Sequence, residues 1–281
     1  MKNLIYQYWD GEIPDGAHAG IANMKAYAER IGAEYLFEDN PRFCTEFCFP
    51  LNEFFGAHKP VYDDAFLEYD NVLYVDTDIH AVSGLDESIF DVFAEFGDVD
   101  MGICTEPFQP EYRLRRDAKW VCTANDEKLA AAFENLTDNK FPRTDAGLLK
   151  VYNAGMVIWT NKGLRRARRS LLSFREYVTI CLALGLPHFY CHDQDWLHAG
   201  MVMYLDFVEM PNDWNTIVHY YRKGDNGSCL NDPRNEDTKF VHAMLTGASD
   251  FTAQQLWRIV NMPASVWQYI RPADAVWKRQ Y

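Results

Sequence analysis

The sequence predicts an α/β fold in one domain, with a mainly parallel central sheet flanked by helices. Three observations carry this. Short runs rich in apolar, β-branched and aromatic residues alternate with amphipathic segments along the chain. One run, Asn71 to Val75 (NVLYV), is almost wholly apolar, the mark of a strand covered on both faces. No internal repeat and no Ser/Gly/Pro-rich linker divides the 281 residues.

Taken in order, Leu4 to Trp9 (LIYQYW) reads as the opening strand, Ile21 to Ile31 as a helix and Glu34 to Phe37 as a second strand, a βαβ unit. Val61 to Tyr69 reads as a helix feeding NVLYV. Asp100 to Cys104 and Val151 to Trp159 (VYNAGMVIW) read as strands, and Asp126 to Leu136 and Lys162 to Leu184 as helices. Residues 106–150, of mixed charge with one helix, read as an insertion beside the sheet. Asp193 to Met201 is expected as a short helix, Tyr204 to Val208 and Lys239 to His242 as strands, and Thr252 to Val260 as the last helix. The domain is thus expected over 1–262. The tail, 263–281, offers Trp267, Tyr269 and Trp277 for packing back onto the body.

A hydrophobic content of 48%, with 15% aromatic residues, excludes a disordered chain. Asp and Glu number 41 against 27 Lys and Arg, a formal charge of −14, which opposes general binding to nucleic acid or anionic lipid. The first residues lack a signal-peptide pattern, and no apolar run approaches a membrane span, so the expectation is a cytoplasmic protein, soluble or peripheral to a membrane. Seven cysteines, an odd number, are expected as thiols; Cys44 and Cys48 lack a second ligand pair and read as small buried residues, not a zinc site. Against the acidic mean, Arg165, Arg166, Arg168 and Arg169 share one helix. They read either as a solvated face paired with carboxylates or as a weak membrane-surface contact. Arg113, Arg115 and Arg116 form a second cluster in the insertion.

The sharpest chemical signal is VLYVDTDIHA, in which a buried-type strand delivers Asp76 and Asp78 to its carboxyl end, where open α/β sheets bind ligands. Hard oxygen donors so placed suit Mg²⁺ or Mn²⁺ bridging a diphosphate. An Asp pair that ends the strand and caps a following helix would look the same. In YNAGMVIWTN, Asn153 can read sugar hydroxyls and Gly155 permits close backbone approach; a turn Asn with a conformational Gly is the plainer alternative. In HDQDWL, Asp193 and Asp195 open a helix as polar groups or as an N-cap. His242 stands at a strand end, with Gly247 beyond it.

The ordered set of Lys59, DTD at 76–78, NAG at 153–155, DQD at 193–195 and His242 with Gly247 resembles the glycosyltransferases of the GT-A fold. The likeness is greatest to the retaining group that contains glycogenin and the bacterial lipopolysaccharide galactosyltransferases. The opening IYQYWDGEIP is similar to the start of capsular-polysaccharide and mannosyl-type transferases. The resemblance implies that Asp76, Asp78 and His242 hold Mn²⁺ or Mg²⁺ on a nucleoside diphosphate sugar, with UDP favoured over GDP. Thr77 would face the ribose, Lys59 would approach the donor, and Tyr6, Gln7 and Tyr8 would line the nucleotide pocket. Asn153 and Asp193 would bind the transferred sugar and Gln194 would lie beside its anomeric carbon, with Asp195 completing the catalytic group. The acceptor would be a glycan or glycoconjugate hydroxyl, and the outcome retention. The family's Lys after the late His is missing; Arg222 and Lys223 are the candidates to replace it. Trp196, Trp214 and Tyr220 are candidates to stack on acceptor sugars, the Trp214–Asn215 pair being the expected exposed one. Two other readings use the same residues: a haloacid-dehalogenase-type phosphohydrolase built on Asp76 and Asp78, and a sugar-binding protein without catalysis.

Overall fold

A computed structural model describes residues 1–41, 56–217 and 236–243. The predicted helix over 252–260 and the aromatic tail lie outside these residues, as do Cys44, Cys48, Tyr220, Arg222, Lys223 and Gly247.

Among the described residues nine strands form two sheets: β1 (Asn3–Trp9), β2 (Glu34–Asp39), β3 (Asn71–Val75), β4 (Ile79–Ala81), β5 (Met101–Thr105), β6 (Tyr152–Thr160), β7 (Phe207–Glu209), β8 (Thr216–Ile217) and β9 (Phe240–His242). The main sheet runs β2–β1–β3–β6–β5–β7, the second β4–β9–β8. In the main sheet β6 is antiparallel to both neighbours and every other pair is parallel, as the sequence predicts.

The period-2 alternation of strands explains why both faces are apolar. Tyr6, Val72, Tyr74, Val157 and Trp159 enter one buried cluster, and Ile5, Leu73, Val75, Met156 and Ile158 the other. The helices Asn161–Ser170 and Asp193–Tyr204 bring Leu164, Ala167, Trp196 and Leu197 to the first. Helix α1 (Asp15–Ile31) brings Met24, Tyr27 and Ala28 to the second and ends at Gly32, whose φ of 71° forms a left-handed cap.

Several elements depart from expectation for local reasons. The helix expected over 61–69 splits into an α-turn, Lys59–Tyr62, and a 3₁₀ segment, Asp64–Glu68. Between them Asp63 is extended, and its carboxylate accepts from the Ala65 N–H at 2.9 Å. The helix expected over 162–184 breaks at the extended Leu171 and restarts as Phe174–Ala183 behind a Ser173/Glu176 capping box. Tyr204 ends a helix rather than opening a strand. Region 106–150 holds two helices, Gln109–Leu114 and Thr123–Glu134, the first too short to show a period.

In the arginine-rich helix, Arg166 pairs with Asp100 and Asp206 at 2.8 and 2.6 Å. Arg168 bonds the Val61 carbonyl and pairs with Asp64, so carboxylates engage two of the four cations. Among the described residues no helix is long and apolar enough to cross a membrane.

One close approach bears on everything that follows. Gly20, in the interior of α1, lies against the loop after β3: a Cβ there would sit 1.8 Å from the Thr77 carbonyl oxygen. A mid-helix glycine costs about 1 kcal/mol against alanine, and here it lets the helix touch backbone. Gly20→Ala should therefore destabilise the protein, despite its better helix propensity, by about 1–3 kcal/mol in urea unfolding. Unchanged or increased stability would refute the close approach.

Candidate active site

The centre of the site is the point where one strand changes sheet. β3 ends at Val75; the chain turns through Asp76, Thr77 and Asp78, then re-pairs as β4 in the second sheet. The turn is pinned by its backbone. The Asp76 N–H donates to the Gly155 carbonyl at 2.7 Å, and the Asp76 carbonyl accepts from Gln7 Nε2 at 3.0 Å. Antiparallel pairing sets Ile79 opposite His242, and the Ala243 N–H closes onto the Asp78 carbonyl at 2.9 Å.

Asp76, Asp78 and His242 thereby converge, with one candidate ligand atom from each lying within 4.8 Å of the others. His242 Nε2 is 3.2 Å from Asp78 Oδ1 and 3.9 Å from Asp76 Oδ2. The His242 side chain is buried, whereas Asp76 is 39% exposed, so the group opens to solvent on the Asp76 side. Loss of solvent pushes the Asp76 carboxyl up to about 6; Asp78 adds to this, while His242 and the Tyr74 hydroxyl oppose it. Burial would lower the His242 pKa, but Asp78 and Asp76 more than offset it and raise it.

β6 supplies the floor. Ile103 pairs with Val157 but Cys104 pairs with Asn153, so Ala154, Gly155 and Met156 form a bulge against a single step of β5. A Cβ on Gly155 would lie 2.5 Å from Asp76 Oδ2, 2.7 Å from His242 Cε1 and 2.9 Å from Asn153 Oδ1. The bare glycine leaves a cradle between the three groups.

The helix Asp193–Tyr204 points its first turn at the same bulge. Gln194 Oε1 accepts from the Ala154 N–H at 3.2 Å, and Asp193 Oδ2 lies 3.4 Å from His58 Nε2. Asp195 is buried 4.0 Å from Arg113, which bonds Asp126 at 2.9 Å.

No protein-family model matches the sequence, and no curated protein does. Solved structures do. The crystal structure of the galactosyltransferase LgtC in complex with donor and acceptor sugar analogues is similar over 95% of this chain and 100% of that one, with a TM-score of 0.51 at 15% identity. Mouse xyloside xylosyltransferase 1, in its apo form, is similar over 86% of this chain and 98% of that one, with a TM-score of 0.51 at 13% identity. The chain has the GT-A fold.

Within that GT-A fold, the sequence-predicted residues fall into separate groups. Asp76, Asp78, His242, Gly155 and Gln194 meet at the bulge. Tyr6 and Lys59 meet instead at Glu38, which accepts from the Tyr6 hydroxyl at 2.8 Å and from Lys59 at 2.5 Å. Gln7 is buried beneath Asp76, its Oε1 held by the Tyr35 hydroxyl at 2.8 Å. Tyr8 and Thr77 are buried, and Asn153 is buried with its Nδ2 on Glu106 at 2.7 Å.

Three expectations are corrected. Trp196 and Trp214 are each 2% exposed and Asn215 1%, so none offers an acceptor platform; the Trp196 indole donates to the Leu172 carbonyl from within the core. Asp76 and Asp78 lead into a strand, so they cap no helix. His192, not Asp193, is the N-cap of the DQD helix, whose first-turn carboxylates complement the helix dipole. Glu106 is not among the residues the sequence singles out, whereas Arg113 and Asn215 are read from it as part of a basic cluster and of an exposed pair, not as the buried, bonded groups they are. Glu106 carried a readable signal, a carboxylate at the carboxyl end of the strand DMGICT.

Burial pushes Asp195 up to about 7, with Arg113 opposing and Asp126 adding to the rise. A carboxyl that holds its proton longer in the fold than in the unfolded chain contributes stability below its unfolded value of 3.8, and this is lost as pH rises through about 7. The stability of the native protein relative to Asp195→Asn should therefore fall between about pH 4 and about pH 8 in urea melts. A pH-independent difference would contradict the assignment.

Proposed function

We propose that the protein is a metal-dependent glycosyltransferase that moves a sugar from a nucleoside diphosphate sugar, UDP-linked in preference to GDP-linked, to a hydroxyl of a glycan or glycoconjugate, with retention. The observation that carries this is the convergence of Asp76, Asp78 and His242 around the Gly155 cradle, on a GT-A fold. Two carboxylates and an imidazole form a donor set suited to Mn²⁺ or Mg²⁺, and the glycine keeps the space between them clear of side chain. Bound there, the dication would neutralise the charge that builds on the departing diphosphate.

The chain's own groups have complementary tasks. Asp76 and Asp78 are held by backbone bonds on both sides and need little reorganisation to act. Gln194 is tethered to the Ala154 N–H, at the edge of the cradle, where a sugar's anomeric carbon would lie. Asp193, steered by His58, would accept from the donor sugar's hydroxyls, and Asp195 stays buried behind them, set by Arg113. Lys59 and Tyr8 would border the nucleotide. The galactosyltransferase of similar shape, crystallised with donor and acceptor analogues, supports a transferase over a phosphohydrolase. The described cysteines are free thiols, which supports the cytoplasmic placement that the reading carries.

Thermal unfolding with a panel of UDP- and GDP-sugars, with and without Mn²⁺, tests the proposal. A true donor at about 100 times its Kd should stabilise the native protein by about 2.7 kcal/mol, only with metal, and Asp78→Ala should abolish the shift. Equal shifts without metal would defeat the metal site. Metal-dependent binding with no nucleotide release across an acceptor panel would make the protein a sugar-binding module.

A further inference from the structure

The hydrogen bonds behind His242 have a direction. The Gly155 N–H can only donate, and it donates to Asn153 Oδ1 at 3.0 Å. This identifies the oxygen and nitrogen of the Asn153 amide from the bonding itself. Nδ2 of Asn153 then donates to Glu106 Oε1 at 2.7 Å. Asn153 Oδ1 also accepts from Asn215 Nδ2 at 2.9 Å, which turns the other end of Asn215, its Oδ1, to His242 Nδ1 at 3.0 Å. A carbonyl oxygen only accepts, so Nδ1 carries the proton. In the neutral ring Nε2 is then a lone pair, and Nε2 is the atom that faces Asp78 and Asp76.

Left to its nearest neighbours, the ring would choose otherwise. With Asp78 Oδ1 at 3.2 Å, a proton on Nε2 would be stabilised by a carboxylate. The Asn215 carbonyl favours the opposite tautomer, and it is held in place by a chain that runs back to a backbone N–H. All three links are enclosed: Asn153, Asn215 and His242 are buried, so water offers them little competition.

We propose that Asn215 is a positioning residue. Through the relay Glu106–Asn153–Asn215 it holds His242 with its proton on Nδ1 and turns the Nε2 lone pair toward the two carboxylates, ready to bind a divalent cation. This rests on the metal-dependent reading above and extends it to a residue outside the ligand set. An outer partner of this kind sets both the tautomer and the orientation of a ligating imidazole.

Two measurements on the full chain test the relay without any turnover. The first is Mn²⁺ binding alone, followed by electron paramagnetic resonance. Asn215→Leu, similar in volume but without an acceptor, should weaken Mn²⁺ roughly 10- to 100-fold. Asn215→Asp, which keeps an acceptor facing Nδ1 but loses the Nδ2 donor to Asn153, should bind Mn²⁺ more tightly than Asn215→Leu. A packing role predicts that the two variants behave alike, so equal losses, or native affinity in Asn215→Leu, would overturn the relay. The second is the ¹⁵N spectrum of His242 in the metal-free native chain, at a pH where the ring is neutral. It should show the proton on Nδ1; a proton on Nε2 would overturn the proposal even if Asn215→Leu fails to fold. A native chain with the Nδ1 proton that binds no Mn²⁺ would refute the metal-dependent function while upholding the tautomer assignment, so the two failures are distinct.

Discussion

Two carboxylates held close together at the end of a buried strand repel each other, and much of the surrounding structure serves to keep Asp76 and Asp78 there. Asp78 adds to the rise of the Asp76 carboxyl, whose larger cause is loss of solvent. His242 and the Tyr74 hydroxyl oppose it at the carboxylates, and backbone ties hold the turn. Asp76 is tied by its backbone to β6 through Gly155 and to β1 through Gln7, while Asp78 is tied to β9 through Ala243. The backbones of the two aspartates are thus anchored to different parts of the two sheets.

This anchoring explains why small residues recur around the turn. α1 can press on the loop only because Gly20 has no Cβ, and β6 can pass under the carboxylates only because Gly155 has none. The bulge in β6 is part of the same arrangement. It releases Ala154 and Gly155 from regular pairing with β5, freeing the Ala154 N–H for Gln194. Asp76 and the DQD helix are therefore connected through neighbouring residues of one strand.

Much of this was legible in the sequence, and the limits have physical causes. NVLYV announced a strand buried on both faces, and the carboxylates at its end followed from where such strands bind ligands. The convergence of His242, more than 160 residues later, rested on resemblance, because periodicity carries no information about a two-sheet register such as Ile79 against His242. Trp214 and Asn215 illustrate the other limit. An aromatic followed by an amide reads equally well as an exposed sugar platform or as a packed ring beside a buried hydrogen-bonding group. Burial decides, and burial is a tertiary property. The helix breaks at Asp63 and Ser173 were written locally, in side chains that bond backbone N–H groups a few residues on, but an apolar period running across them conceals such signals.

The charge balance of the site argues for what its ligand must bring. Among the described residues, Lys59 is paired with Glu38 and Asp63, and Arg113 with Asp126 and Asp195. Both cations are therefore engaged by carboxylates. Asp76, Asp78 and Asp193 line the cradle and its helix, with His242 and His58 beside them. A dication between Asp76, Asp78 and His242, beside Gly155, would shift the local charge toward positive. The acidity of the chain as a whole, −14, says nothing this specific. Under the proposed function, a dication held by Asp76, Asp78 and His242 would offset these carboxylates, and the hydrogen-bond relay behind His242 would then have a purpose beyond packing.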